Sequence, residues 1–417
     1  MRKKYIYFLL LNFLFSGSIF SQTQITLQKA LQIARGNNPV LRTEKFNIEI
    51  AKSDITTAKL RPNPVMGINY ISTIRKQDYA ENTGLLNSAN TQASLQLGKT
   101  FQIAGQRKYA IDFAEKTAAV SEKNYNETER NLYLEVAHKW IELWSAQKRL
   151  ALIQTAKSNI DSLVNINQYR YAKQVITQID LYRTELLGKQ YALQTKTAQQ
   201  EIINKQKELK FLLGTKEDVD AEISDDLLYP IPSDIDSLLQ QSLNNRSDIS
   251  SSKLAIEAAS SNIRLQKSLS IPSPELGIVY NPQNTIPYVG AYATFELPFF
   301  SRNQGERQKA VLLKQQAEQQ LNTMQKKIET EVATAHANYQ LQKQTLENFK
   351  NINIQAKTIL NNVKYSYLRG GTTMIDFLEA QRSWLETQQQ YFDALEQYKQ
   401  SNIQVLYATG LINQLAK

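Results

Sequence analysis

Cysteine is absent from the 417 residues, which removes disulfides, thiolate metal sites, thiol nucleophiles and lipid attachment through sulfur. Glycine and proline are scarce, 14 and 10, and fall in clusters, so long stretches can run helical without interruption. The 2 histidines, His138 and His336, stand alone, neither with a second histidine at ligand spacing. Beyond Met1 only Met66, Met324 and Met374 remain, too few for a soft-metal ladder. Past the first twenty or so residues no run of about 18 apolar residues occurs, so no helix there is suited to cross a bilayer. The formal charge is +10, or +7 without Arg2, Lys3 and Lys4, and it is spread without a compact basic run or interleaved aromatics, which speaks against nucleic acid. No nucleophile–base pair, phosphate loop or metal-ligand cluster stands out, and the chain reads as neither an enzyme nor a cofactor protein.

What is present is a duplication. Tyr365, Tyr367, Ile375, Asp376 and Gly410 lie 196 residues after Tyr169, Tyr171, Ile179, Asp180 and Gly214. Each copy reads as a long helix, a break and a returning helix of roughly 35 residues. Gly370 and Gly371 supply the second break, and Lys173 and Gln174 stand at the first. The helices restart at Thr177 and at Thr372-Thr373, residue types that cap amides, with Asp180 and Asp376 in the first turn where the helix dipole favours them. Upstream, Pro272, Pro274, Gly277 and Tyr280 lie 210 residues after Pro62, Pro64, Gly67 and Tyr70.

Met1 to Ser21 has a basic start, an apolar run from Tyr5 to Phe15 and small residues at Ser16 to Ser18 and Ser21, the order of a secretory signal peptide. Cleavage is expected near Ser18 or Ser21. Short helices follow from Thr26 and from Val40 to Leu60, until the Pro-x-Pro turn ends them. Strands are expected at about 65–74 and 91–103 and again at 275–281 and 287–298. Ala93, Leu95, Leu97 and Phe101 alternate with Gln92, Ser94, Gln96 and Gly98, and Val289, Ala291, Ala293, Phe295 and Leu297 repeat the pattern. Such alternation suits a membrane barrel strand with a watery lumen, and equally a half-buried hairpin. Long rods run from about Gly105 to Tyr169, with Ile111, Ala118, Tyr125, Leu132, Ala146, Ile153 and Ile160 in heptad register, and from Gly305 to Tyr367. Trp140, Trp144 and Trp384 are expected to pack between rods. Four strands cannot close a useful barrel nor leave their edges open in lipid, so several copies must share them.

The opening Ile25-Thr26-Leu27-Gln28-Lys29-Ala30-Leu31 with Asn38-Pro39, the paired Pro-x-Pro turns, Glu296-Leu297-Pro298-Phe299-Phe300 with Asn303 to Glu306, and Gly370 through Arg382 together resemble the TolC-like outer-membrane efflux family, nearest its CusC/CzcC-like heavy-metal and cation branch. The resemblance covers essentially the whole mature chain. It implies a mainly α fold with a membrane β-barrel: duplicated helical hairpins form a trimeric periplasmic tunnel, and four strands per protomer give a 12-stranded outer-membrane barrel. It further implies a periplasmic adaptor and an inner-membrane pump of the resistance-nodulation-division (RND) type as partners, in a Gram-negative cell, with metal cations or drugs as cargo. By the same resemblance the adaptor-docking tips are Lys173 with Gln174 and Arg369 with Gly370 and Gly371; the family commonly has glycine where Gln174 stands. Its inner gate, an acidic ring, maps to Asp376 and Glu379, and a lock holding it maps to Tyr367 and Asp180, with Thr372 in place of the family archetype's arginine and Arg369 close by.

The expected organisation is a signal peptide at 1–21, a first repeat at 22–214 with its tip near 170–176, an equatorial linker at 215–234, and a second repeat at 235–417 with its tip near 368–373. Two other classes compete: a periplasmic adaptor, which would flank a single hairpin with β-rich segments, and a coiled-coil scaffold without a pore, which has no use for strand pairs with apolar outer faces.

Overall fold

A computed structural model describes residues 23–222, 229–282 and 286–416; the expected signal peptide lies outside the described residues. In chain order the elements are β1 (Thr23–Ile25), α1 (Leu27–Asn37), α2 (Pro39–Lys59), β2 (Val65–Ser72), β3 (Thr91–Thr100), α3 (Gln106–Ala172), α4 (Gln178–Leu213), β4 (Val219–Ala221), α5 (Ile235–Asn245), α6 (Ser247–Ser268), β5 (Glu275–Asn281), β6 (Tyr288–Thr294), α7 (Gln304–Leu368) and α8 (Met374–Ala408). Short 3₁₀ turns occupy Lys76–Asp78 and Leu411–Ala416. The rods α3 and α7 have 67 and 65 residues and the returning α4 and α8 have 36 and 35, so each rod is about 100 Å long. The chain divides into two compact units, the described parts of 1–41, 129–245 and 330–417, and of 42–128 and 246–329.

The unit of 42–128 and 246–329 holds one antiparallel sheet ordered β2-β3-β5-β6. Directly paired residues share a face, and the ladders align Ile68 with Leu95 and Tyr280, and Met66 with Leu97 and Ile278, continuing to Val289 and Ala291 on β6. That face is apolar yet uncovered: Met66, Ile68, Leu97, Leu276 and Ile278 are 49–68% exposed. The opposite face carries Asn69, Ser94, Gln96 and the facing glycines Gly98 and Gly277, beside which the Tyr292 hydroxyl donates to Glu275 Oε1 at 2.8 Å. Three strands stop short of their expected ends, at Ser72, Thr100 and Thr294 rather than 74, 103 and 298. The ladder ends where its partner does: among the described residues β6 pairs with β5 alone, whose first residue Glu275 faces Thr294, so the apolar residues beyond have no ladder partner.

The helix entries repeat as well. Gly105 and Asn303, both at positive φ (76° and 56°), precede Gln106 and Gln304, whose Oε1 atoms accept from Ala104 N and Arg302 N at 2.9 and 2.7 Å. Gln106 also donates to Ile271 O at 3.0 Å, tying the start of α3 to the second Pro-x-Pro turn.

In the other unit the heptad residues of α3 form the core: Leu132, Val136, Leu143, Ala146, Ile153 and Ile160 are buried. Trp140, Trp144 and Trp384 are buried with them, and Trp140 Nε1–H donates to Ile25 O at 2.9 Å. Ile25 belongs to a parallel β1-β4 pair, whose second strand lies in the stretch 215–234 expected to be an equatorial linker; three residues per strand give too short a pattern to read. Where Lys139 breaks the heptads, its ammonium lies 3.1 Å from Glu142 and 2.9 Å from Glu208, and Lys205 reaches Glu142 at 2.6 Å. Burial alone would raise the Glu142 carboxyl; the hydrogen bonds from Lys205 and Lys139 outweigh it and hold the group below its ordinary value.

Helix α4 ends on Gly214 at φ +61°, where an added Cβ would collide with the Asn37 carbonyl oxygen. Replacing Gly214 by alanine therefore combines left-handed strain with a backbone clash and should cost about 1–3 kcal/mol. The same change at Gly36, inside α1 with open space around it, should be neutral or stabilising by up to about 1 kcal/mol. Thermal unfolding followed by helical circular dichroism should show a lower Tm for G214A and no loss for G36A.

Candidate functional site at the helix tips

The two tips are the same turn built twice. At the end of α3, Gln174 N donates to Tyr171 O at 2.8 Å and Val175 N to Arg170 O at 2.9 Å; at the end of α7, Gly370 N donates to Tyr367 O at 3.1 Å and Gly371 N to Ser366 O at 2.9 Å. These are paired Schellman bonds, which place the residue after the helix in the left-handed region. Gly370 takes φ +78° freely. Gln174 takes φ +57° despite its side chain, at a cost of about 1–2 kcal/mol. The missing glycine thus leaves the turn unchanged. The basic tip residues fold back along their own helices, Lys173 Nζ 5.7 Å from the Tyr169 ring and the Arg369 guanidinium 3.9 Å from the Tyr365 ring. In the protomer Arg369 is therefore engaged on Tyr365.

Both returning helices open with a complete capping box. Thr177 Oγ1 accepts from Asp180 N at 3.2 Å and Thr177 N donates to Asp180 Oδ2 at 3.4 Å; Thr373 and Asp376 repeat this at 3.2 and 3.1 Å. Asp376 Oδ2 also accepts the Thr373 and Thr372 hydroxyls at 2.6 and 2.7 Å. Those hydroxyl bonds, with the Thr373 amide, hold the Asp376 carboxyl below its ordinary value. The position of the archetype's arginine is thus filled by a hydroxyl that stabilises the charged aspartate locally. Glu379, one turn on, accepts from Arg382 at 2.8 Å, and both are well exposed.

Tyr367 and Asp180, matched to a lock by resemblance, do not meet in the protomer. Tyr367 is buried, stacks on Phe377 at 5.5 Å and donates to Asn167 Oδ1 at 2.9 Å. Asn167 Nδ2 donates in turn to Thr184 Oγ1 at 2.9 Å and faces Met374 Sδ at 3.8 Å. Asn167 and Thr184 are both 0% exposed, so one amide joins α3, α4, α7 and α8 inside a cluster of Ile160, Leu163, Tyr191, Leu360, Phe377 and Trp384. Arg170 adds a bond to Leu368 O at 3.1 Å. Sequence reading missed this junction, though a signal exists: Asn167 is the heptad position after Ile160, and Thr184 lies one heptad before Tyr191. A polar residue in an apolar seam fixes register at a cost in stability.

Among the described residues no group of three or more His, Asp or Glu is placed to hold a metal ion, and no helix is long and apolar enough to cross a membrane. The His138 imidazole is pushed toward its neutral form by burial.

A family model described as outer membrane efflux protein matches residues 30–215 and 238–411. The outer membrane protein TolC of Salmonella enteritidis is 22% identical over 438 residues, 99% of this chain and 88% of the relative. The cobalt-zinc-cadmium resistance protein CzcC of Cupriavidus metallidurans is 19% identical over 380 residues, 90% of this chain and 88% of the relative. Among solved structures, CusC shares the fold with a TM-score of 0.76 at 17% identity, over 93% of both chains. Matched in both its halves, carrying a sheet with an uncovered apolar face, the chain belongs to the outer membrane efflux protein family and works as an exit channel in the outer membrane of a Gram-negative cell.

Proposed function

We propose that three protomers assemble into one channel, their twelve strands closing a barrel in the outer membrane and their duplicated hairpins enclosing a periplasmic tunnel, through which substrate passes without chemistry. The observation that carries this reading is the β2-β3-β5-β6 sheet: four strands, an apolar face and, among the described residues, two edge strands without partners. Unsatisfied backbone groups in hydrocarbon cost several kcal/mol each, so β6 of one copy must find β2 of the next. The repeats at 22–214 and 235–417, joined by 215–234, are supported by the two segments matched by the family model, 30–215 and 238–411.

The tips carry the contacts and the gate in this reading. Lys173, Gln174, Arg369, Gly370 and Gly371 meet a periplasmic adaptor coupled to an RND-type inner-membrane pump, which drives the efflux. Asp376 and Glu379, three of each around the axis, restrict the inner end and concentrate negative potential there. Asp376, whose carboxyl the Thr373 and Thr372 hydrogen bonds hold below its ordinary value, is the dependable charge; Arg382 offsets part of the Glu379 charge. Asp180 braces the first tip through its capping box. The lock is the Tyr367–Asn167–Thr184 chain, since it joins the two hairpins through buried side chains. Metal cations or drugs are the cargo class, the cation reading being favoured by the likeness to a cobalt-zinc-cadmium resistance protein.

Single-channel recording in planar bilayers tests the gate. Replacing Asp376 and Glu379 together by alanine should raise basal conductance and abolish block by trivalent cations; unchanged conductance and block would remove the assignment. Because the folded state holds Asp376 below its ordinary value, its charge, and any stability linked to it, are kept as pH falls toward about 4 and lost only below that. Block of the parent channel should accordingly persist at pH 5.

The lock has its own test. Asn167→Ala leaves the Tyr367 hydroxyl buried without its acceptor, at about 1–3 kcal/mol, and removes the donor to Thr184, whose own hydroxyl stays bonded to Asp180 O; it should speed hydrogen exchange across both tips while raising open probability. Tyr367→Phe removes one hydroxyl and should do less. Exchange at the tips unaltered by N167A would refute the lock.

A further inference from the structure

In a strand a side chain ordinarily stands off the sheet, yet one tyrosine on the polar face lies down along it. Tyr292 of β6 is paired with Gly277 of β5, and Gly277 with Gly98 of β3. A Cβ added at Gly277 would sit 2.5 Å from Tyr292 Cε1 and 2.6 Å from Cζ; one added at Gly98 would overlap the Tyr292 hydroxyl and the Glu275 carboxylate. The ring therefore follows a single cross-strand row, over β5, with its tip on β3, two strand spacings of about 4.8 Å from its own backbone. The 2.8 Å bond from its hydroxyl to Glu275 Oε1 holds the tip there.

Glycine inside a strand weakens it and marks a place where something approaches closely. Each strand of this sheet has one, Gly67, Gly98, Gly277 and Gly290, and the ladders put all four on the polar face. Two of them have room for a methyl group: a Cβ at Gly67 comes no nearer than 3.6 Å to Gln96, and one at Gly290 makes a tight contact of 3.3 Å with Val279 Cγ1. Gly277 is closed by backbone as well as by the ring, with Leu97 O 2.6 Å from the added carbon. Gly98 is closed by side-chain ends, those of Tyr292 and Glu275. What a side chain at Gly98 would displace is the ring itself.

We propose that Tyr292 sets the bore of the channel at this level. Laid flat over Gly277 and Gly98 and pinned by Glu275, it keeps the lumen open to bulky cargo; raised, it narrows the lumen from three sides, once per copy. The assignment rests on the proposed three-copy barrel, in which the polar face of the sheet lines the lumen. Pore diameter is among the properties that decide what a channel passes, so Tyr292 acts on cargo size, apart from the acidic groups at the tips.

Because the chain has no cysteine, a single introduced thiol reports on one position. Val65, paired with Gly98 in the same row and 59% exposed, takes the reporter on the polar face; Met66, 65% exposed, takes it on the apolar face. The purified full chain in detergent is treated with a small sulfonated maleimide or a long polyethylene-glycol maleimide, and labelling rates are read by mass spectrometry and gel shift. In Val65→Cys, adding Gly98→Ala should slow the long reagent at least about fivefold and spare the small one, since access through a pore depends on its width. Removing the ring as well, by Tyr292→Ala, should restore the rate, which a general folding defect would not allow. Gly67→Ala, the matched change away from the ring, should leave it unaltered. Should G98A fail to assemble, Tyr292→Phe, which loses only the Glu275 bond, should slow the long reagent about twofold on the same grounds. A rate that G98A or Y292F leaves unchanged, or that Y292A does not restore, overturns the assignment. Labelling of Met66→Cys by the small charged reagent as fast as Val65→Cys would instead bring down the barrel on which the assignment rests.

Discussion

A peptide amide in hydrocarbon has no water to fall back on, and this constraint governs the molecule. Four antiparallel strands satisfy one another in the middle of the sheet and leave β2 and β6 each with an unpaired edge among the described residues. In water such edges invite aggregation; in lipid they are untenable unless another copy completes them. The apolar face, half or more exposed at Met66, Ile68 and Ile278, makes sense only with lipid against it. The proposed trimer follows from that sheet and does not need the helices.

The rods follow from the same economy. A helix of about 100 Å cannot bury itself, and its stability comes from neighbours laid along it. Every buried heptad residue of α3 is therefore also a statement about α4, α8 or another copy. At the tips this packing carries one polar exception, Asn167, whose amide is shared among four helices. An apolar residue there would hold the hairpins together more firmly and less specifically. A junction fixed by a few hydrogen bonds suits the proposed gate, which has to stay shut and still open.

Much of this was legible in the residues, and the reasons differ. The duplication at a spacing of 196 was visible because both tips need the same turn and the same capping box, and those are local rules written in Thr177, Asp180, Thr373 and Asp376. Strand centres were legible from alternation; their ends were not, since where a ladder stops depends on its partner. The β1-β4 pair escaped because three residues carry no period. The junction at the tips escaped for a deeper reason: resemblance pointed Tyr367 at Asp180, whereas in the protomer Asp180 is held by Thr177 and the Tyr367 hydroxyl donates to Asn167, a contact 200 residues apart that only tertiary packing reveals. Gln174 showed the opposite case, an unfavourable residue in the left-handed region that the paired turn bonds still hold in place.

The shared sheet is tested most directly by native mass spectrometry of the protein extracted from membranes in mild detergent. Three copies of the 47.7 kDa chain, each less any cleaved leader, should leave the micelle as one particle that precipitates or dissociates when detergent is removed. A monomer that stays in solution without surfactant would contradict it.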